Sequence, residues 1–183
     1  VPPPNKARPR DGVRRLPPRV AGGVLAVVVL IVDQATKWWI LNDVMQPPRV
    51  IDITPFFNLV LGWNRGVSFG LFGAGEAGTA WLLIAVALVI STVLFVWLLR
   101  TDRIIVGLGL GAIIGGALGN VTDRLRFGAV TDFLDFHLLG VHWPAFNVAD
   151  AGITVGAAVL ILHSLFQGAE HRTSNTVERE GNE

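Results

Sequence analysis

The 183-residue chain contains no cysteine and no tyrosine. The first absence excludes disulfides, thiolate metal sites and a cysteine nucleophile, and it leaves the redox compartment open. The second excludes a phenolic acid or nucleophile. Charge is also scarce: Asp, Glu, Lys and Arg make up 16% of residues, against roughly 25% in soluble domains. The formal net charge of +1 points to no polyanionic partner. What fills the chain instead is apolar. Half of it is hydrophobic (51%), with a mean hydropathy of +0.53. The aliphatic residues bunch into long runs, so a membrane protein is the first reading.

Four segments approach the ~20 apolar residues needed to cross a bilayer: 20–41, 78–99, 104–120 and 149–166. The third is short and rich in glycine. The first has a basic stretch before it, as a signal peptide does. It is too long for one, and no small-x-small cleavage site follows, so it reads as a retained span. Lys and Arg set the orientation. Lys6, Arg8, Arg10, Arg14, Arg15 and Arg19 precede the first span, and Arg100 and Arg103 lie in the short second connection. The two long connections hold few basic residues. The expected organisation is a disordered, Pro-rich, basic cytoplasmic tail (1–19) and a membrane domain (20–166) with outer loops at 42–77 and 121–148. A polar cytoplasmic tail (167–183) follows, also read as disordered. The basic tail is a topology signal rather than a nucleic-acid site.

The outer loops are more than linkers. Residues 50–72 mix β-branched and aromatic residues with turn formers, and 130–142 are similar, which predicts a small β-structure on the outer membrane face. In the third span Gly107, Gly111, Gly115 and Gly119 fall four apart. Residues so spaced share a helix face and let another helix approach closely. Asp123 is one step further along the same stripe. Asp33 and Lys37, in the first span, are four apart with the acid first, the favourable order for a helical ion pair. Such a pair can be purely structural or can relay protons and orient a site. Trp38 and Trp39 beside it suit an interfacial anchor.

Two further acids fall in Val130–Thr131–Asp132–Phe133–Leu134–Asp135–Phe136–His137. If this stretch is extended, Asp132 shares a face with Val130, Leu134 and Phe136, and desolvation there raises its pKa. Asp135 has more polar company and is expected to be solvated. Asp150 opens the fourth apolar run. Asn147 is a good N-cap for that helix, and Asp150 then sits where a capping box places its acid. Capping is one role for Asp150; chemistry is another, and a helix N-terminus favours an ionised carboxylate.

The topology gathers Asp123, Asp132 and Asp150 at one membrane face. Two carboxylates in unlike environments form an acid–base pair, able to activate water and protonate a leaving amine, and they titrate together. Other chemistries have less support. There is no HExxH, His137, His142, His163 and His171 show no ligand pattern, and no Walker or Rossmann glycine motif occurs. Nothing in the spacing joins Ser68 to Lys37 as a serine–lysine dyad. A small proton-coupled transporter would also carry intramembrane acids, but near the midplane. A scaffold subunit packing through the glycine stripe leaves Asn64, Asn120 and Asn147 without a purpose.

Five motifs, taken in order, resemble the bacterial lipoprotein signal peptidases (signal peptidase II). They are Asp33-Gln34-Ala35-Thr36-Lys37, Asn64-Arg65-Gly66-Val67-Ser68-Phe69, Gly119-Asn120-Val121-Thr122-Asp123-Arg124, Val130-Thr131-Asp132-Phe133 and Phe146-Asn147-Val148-Ala149-Asp150. The resemblance implies a mainly α membrane protein of four transmembrane helices with a small extracytoplasmic β-cradle. It implies an aspartyl endopeptidase of the bacterial inner membrane, with both termini cytoplasmic and the active site near the outer face. The substrate would be a diacylglyceryl-modified prolipoprotein, cut just before its lipidated cysteine. On the family pattern the catalytic pair matches Asp132 and Asp150, not Asp123. Asn64, Asn120, Asp123, Arg124 and Asn147 match substrate-contacting or site-supporting positions, with Asp33 and Lys37 as support. No metal or other cofactor is implied, the partners are prolipoproteins and membrane lipid, and a monomer suffices. The family commonly has Ala where this chain has Val67.

Overall fold

The computed structural model describes residues 16–66 and 75–180, the backbone alone for 75–77 and 167–180. Pro17 precedes the first helix and Pro18 occupies its first turn, where a missing N–H is no loss. Helix α1 (Pro18–Trp39) widens into a π-helical turn at Ile40–Val44, and strands β1 (Ile51–Thr54) and β2 (Phe57–Asn64) follow. Helices α2 (Gly75–Arg100) and α3 (Ile104–Phe127) come next, then strands β3 (Val130–Leu138) and β4 (Val141–His142), and finally α4 (Val148–Glu180).

Among the described residues, four helical segments are long and apolar enough to cross a membrane: Pro18–Val44, Gly78–Arg100, Ile104–Phe127 and Val148–Phe166. The four spans stand where the apolar runs place them, with one extension. The third was expected to end at residue 120, and α3 continues to Phe127. Its last turns are polar, and their side chains find partners on α1, as set out below. The polar segment 167–183, expected to be disordered, continues α4 as helix to Glu180; it holds no proline to break it.

Helix α3 is the hub. Two thirds of its span is buried (67%), against 11–17% for the other three. Apolar side chains supply little drive between helices in lipid, so close backbone approach has to do the packing. The glycine stripe provides it against α1. A methyl group on Gly111 would strike the Gly22 carbonyl, and one on Gly115 the Ala26 carbonyl. On Gly119 it would strike the Asp33 carboxylate. A second small-residue face, not evident from the four-residue stripe, packs on α4: Gly116 abuts the Ala149 carbonyl, and Gly156 abuts that of Gly109. A cluster of Leu98, Val106, Leu110 and Ile114 closes α2 against this pair of seams.

The strands form one four-stranded antiparallel sheet in the order β1-β2-β3-β4, the β-structure expected from the two outer loops. Residues 67–74, including Val67, Ser68 and Phe69, lie outside the described residues. Ile40, Met45 and Phe133 form a second apolar cluster with Leu59, Leu61, Leu134 and Val148 around them. That cluster fastens the sheet to the ends of α1 and α4, and so fixes the height of β3 relative to the helices.

Candidate active site

Two short connections bring the candidate acids together. Gly128 ends α3 at φ 69°, in the left-handed region that suits a residue without Cβ. Its N–H donates to the Arg124 carbonyl at 3.0 Å, and β3 begins two residues on. Asp132 is the third residue of that strand, opposite Gly62 of β2. Further along, Phe146 pairs back onto β3. The N–H groups of Phe133 and Leu134 donate to its carbonyl at 3.0 and 2.8 Å, and its own N–H donates to Leu134 at 3.0 Å. The start of α4 is thereby pinned beside the strand that carries Asp132.

Asn147 joins the two carboxylates. Its Nδ2 donates to Asp132 Oδ1 at 2.7 Å. Its Oδ1 accepts the Asp150 backbone N–H at 3.0 Å, while its own N–H donates to Asp150 Oδ2 at 3.3 Å. The expected capping box is present. It uses only Oδ2 of Asp150; Oδ1 accepts from Asn120 Nδ2 at 2.7 Å. Capping and a place in the polar cluster are therefore both true of Asp150. Asn64, at the end of β2, also hydrogen-bonds the Asp132 carboxylate. Arg124 lies close enough for its charge to act on Asp150, Asp132 and Asp123.

Behind the pair lies a buried layer. Lys37 Nζ is 2.9 Å from Asp33 Oδ2 and 3.0 Å from Asp123 Oδ2, and it donates to Asn120 Oδ1 at 3.2 Å. Both acids also hold backbone. Asp33 Oδ1 accepts the N–H of Ala149 at 2.9 Å, and Asp123 Oδ2 accepts that of Thr131 at 2.9 Å. Ala149 precedes Asp150 and Thr131 precedes Asp132, so each candidate acid is preceded by a clamped peptide. Gln34 Nε2 ties the two clamps together, donating to Asp33 Oδ2 at 3.1 Å and to Asp123 Oδ1 at 3.0 Å. An ion pair this deep needs all its remaining hydrogen-bonding capacity met, and here most of it is.

All nine residues singled out from the sequence (Asp33, Lys37, Asn64, Asn120, Asp123, Arg124, Asp132, Asn147 and Asp150) belong to this one cluster. Gln34 was missed, although it lies within the first motif. Its position next to Asp33 in the same helix was the available signal. One expectation fails. Asp135 is not solvated: it is 6% exposed, lies against the Asn58 side chain and stands 2.9 Å from His142 Nδ1. Its partners come from β2 and β4, which local alternation along β3 does not reveal.

Asp132 is 4% exposed, and its pKa is raised from 3.8 to about 6. Burial is the main cause, and the hydrogen bond from Asn64 opposes it. The charge of Asp150 raises it further, while the Asn147 hydrogen bond and Lys37 pull it down. Two carboxylates, one desolvated on a strand and one at a helix start, are thus held by a single asparagine. Such a pair can share a proton across a reacting carbonyl.

The signal peptidase (SPase) II family model matches residues 25–166. The chain belongs to this family. Its relatives include a protein named lipoprotein signal peptidase from Beijerinckia indica, 44% identical over 146 residues, with 79% of this chain and 87% of the relative covered. A protein of the same name from Ralstonia nicotianae is 46% identical over 143 residues, covering 77% and 82%. Two solved structures, each described as a bacterial membrane enzyme, are similar over most of the chain. One is 26% identical with a TM-score of 0.71, covering 82% of this chain and 91% of that one. The other is 28% identical with a TM-score of 0.71, covering 80% and 93%. Family membership makes the chain a multi-pass membrane peptidase, and the matched region contains every residue of the polar cluster.

Proposed function

We propose that this peptidase is an aspartyl endopeptidase using Asp132 and Asp150, and that it removes signal peptides from diacylglyceryl-modified prolipoproteins by cutting before the lipidated cysteine. The observation that carries the catalytic assignment is Asn147, which bonds one acid with its side chain and caps a helix with the other. The names of the relatives support the substrate. The protein sits in the bacterial inner membrane with its termini in the cytoplasm and the dyad near the outer face, as the Lys and Arg distribution supports.

In this reading Asp150 is the ionised member and Asp132 the protonated one. Asp150 takes a proton from water as the oxygen attacks the scissile carbonyl carbon. Asp132 hydrogen-bonds the carbonyl oxygen as it becomes negative. The tetrahedral intermediate then collapses, the C–N bond breaks, and the amine nitrogen leaves with a proton passed from the dyad. The products are the released signal peptide, with a new carboxylate, and a lipoprotein with a free amine on its lipidated cysteine. The raised pKa of Asp132 supports its role as the proton-bearing acid, and covering by substrate desolvates it further. A site at the end of the spans leaves the diacylglyceryl chains in lipid while the peptide enters from the side.

The test is cleavage of a diacylglyceryl-modified prolipoprotein by purified protein in detergent. Asp132→Asn and Asp150→Asn should each lose about 10²–10⁴-fold in kcat while still unfolding cooperatively, as a folded protein does. Normal cleavage by either folded variant would defeat the dyad and move Asp123 forward. A folded wild type that never cuts would return the transporter and scaffold readings.

A further inference from the structure

The hairpin that continues the strand of Asp132 is two-faced, and one face is packed only at its base, where the Phe136 ring lies 4.7 Å from that of Phe57 and 5.9 Å from that of Phe146. Strands β3 and β4 pair His137 with His142 and Leu138 with Val141. The N–H of Trp143 donates to the Phe136 carbonyl at 2.7 Å. Alternation along the two strands therefore puts Phe136, Leu138, Val141 and Trp143 on one face. These are exposed at 42%, 69%, 75% and 69%. The opposite face carries Asp135, His137 and His142, with the histidine rings stacked at 4.8 Å and Asp135 paired to His142. The hairpin is amphipathic, with apolar side chains uncovered on one side and polar groups satisfied on the other.

The turn adds an independent observation. Leu139 and Gly140 form the two-residue loop, and both have positive φ, 50° and 80°. Such turns are made for Asn-Gly or Asp-Gly. A leucine there is in a backbone region that side chains with a Cβ disfavour. Leu139 is also 95% exposed. Water gives no reason to keep leucine in a strained turn at the tip of an edge strand, where charges usually guard against pairing. Residues 128–147 hold no Lys, Arg or Glu at all.

The apolar phase within reach is the bilayer. Only two residues separate strand β3 from the span Ile104–Phe127, and α4 begins the next span at Val148. The hairpin thus leaves the membrane and returns to it, and nine residues of β3 cover only about 30 Å. Its exposed Leu, Val and Trp continue the chemistry of the lipid-facing helix surfaces, such as Ile31 and Val93, which are equally uncovered. We propose that the Leu138–Val141 tip is a membrane-interface anchor, with its apolar face inserted among outer-leaflet acyl chains and headgroups and its histidine face in water. Leucine, valine and tryptophan are the side chains that such an interface takes up. The consequence for the site is mechanical. Asp132 and Leu139 share one strand and its turn, so anchoring the tip fixes the height of Asp132 above the lipid.

The absence of cysteine makes the test direct. Leu139→Cys, or Val141→Cys if the first variant folds poorly, is labelled with an environment-sensitive fluorophore. The full chain is then placed in phosphatidylcholine–phosphatidylglycerol vesicles. The expected result is blue-shifted emission, quenched several-fold more strongly by lipids carrying a shallow doxyl group than by aqueous iodide, and unchanged on tenfold dilution of protein in lipid. Stronger quenching by iodide overturns the proposal. A blue shift that disappears on dilution overturns it as well, because a second copy of the chain, not lipid, would then cover the tip.

Discussion

Asp33, in the C-terminal half of α1, accepts the backbone N–H of Ala149 at 2.9 Å, the peptide immediately before Asp150. Asp123 does the same for Thr131, the residue before Asp132. Lys37 lies between the two carboxylates. An ion pair that looks like a structural staple within α1 is therefore also tied to the peptides that position Asp132 and Asp150. The geometry of the candidate catalytic acids depends on a helix that supplies neither of them.

Removing that clamp should be costly, and the way it is removed should matter. Asp33→Ala strips Ala149 of its acceptor and Lys37 of one counter-ion, in a layer where Asp33 is fully buried. Breaking one partner of a buried pair is destabilising by about 3–5 kcal/mol. Asp33→Asn retains an oxygen for Ala149 and should lose less. Lys37 keeps Asp123 as a counter-ion in Asp33→Ala, so the double variant Asp33→Ala/Lys37→Met, which leaves the buried Asp123 carboxylate without its cation, should lose more than Asp33→Ala alone. Thermal or denaturant unfolding in detergent reads all three. A double variant as stable as Asp33→Ala, or more so, would contradict the pairing argument.

Asp132 should write its pKa into the pH profile. If it must be protonated for catalysis, kcat/KM, which reports the free enzyme, falls as pH rises through about 6. The slope should approach tenfold per pH unit above that point. The limb belongs to the coupled pair rather than to one acid, so Asn64→Ala should also shift it. That asparagine's hydrogen bond holds the value down, and its loss should move the limb upward. A limb that stays in place in the variant would detach it from Asp132.

The same group makes a stability prediction of opposite sign to its catalytic value. The folded pKa of Asp132 is raised, from 3.8 to about 6, so the folded state holds the proton more tightly than the unfolded one. Its contribution is fully present below pH ~4 and is lost as pH rises through about 6. At neutral pH the ionised, buried carboxylate costs about 2–3 kcal/mol. Asp132→Asn keeps an acceptor for Asn147 and removes the charge. It should unfold at a higher temperature than wild type at pH 7, with the difference shrinking toward zero near pH 4. An inactive variant less stable than wild type at pH 7 would overturn this.

What could be read ahead of the structure followed from local chemistry. Asn147 with Asp150 is a three-residue spacing with one geometric meaning, and Asp33 with Lys37 is a four-residue spacing with another; both are present as expected. Asp123 lay on the glycine stripe, and the stripe faces α1, where Lys37 waits for it. What could not be read depended on partners distant in the chain. Asp135 is buried because Asn58, on a strand far earlier, faces it. The end of α3 was misplaced because hydropathy falls after Asn120, whereas the helix persists while Gln34 and Lys37 satisfy its polar residues. The second small-residue face of α3 was hidden among many glycines until α4 identified its members.

The glycine seams give a prediction with its control built in. Gly22 and Gly23 are neighbours in α1. A Cβ on Gly22 would strike the Gly107 carbonyl, whereas a Cβ on Gly23 meets nothing within 4 Å. In a free helix either change to alanine would help by about 1 kcal/mol. Here the two should diverge. Gly23→Ala should be neutral or slightly stabilising. Gly22→Ala must push α1 away from α3, because backbone cannot rotate aside as a side chain can, and should lose about 1–3 kcal/mol. The displacement would also lengthen the bonds from Asp33 and Lys37 to α3 and α4, so the Gly22 variant should lose activity from a position more than two helical turns from the dyad. Unfolding and cleavage assays on the pair distinguish this from a general intolerance of α1 to substitution, which would affect both alike.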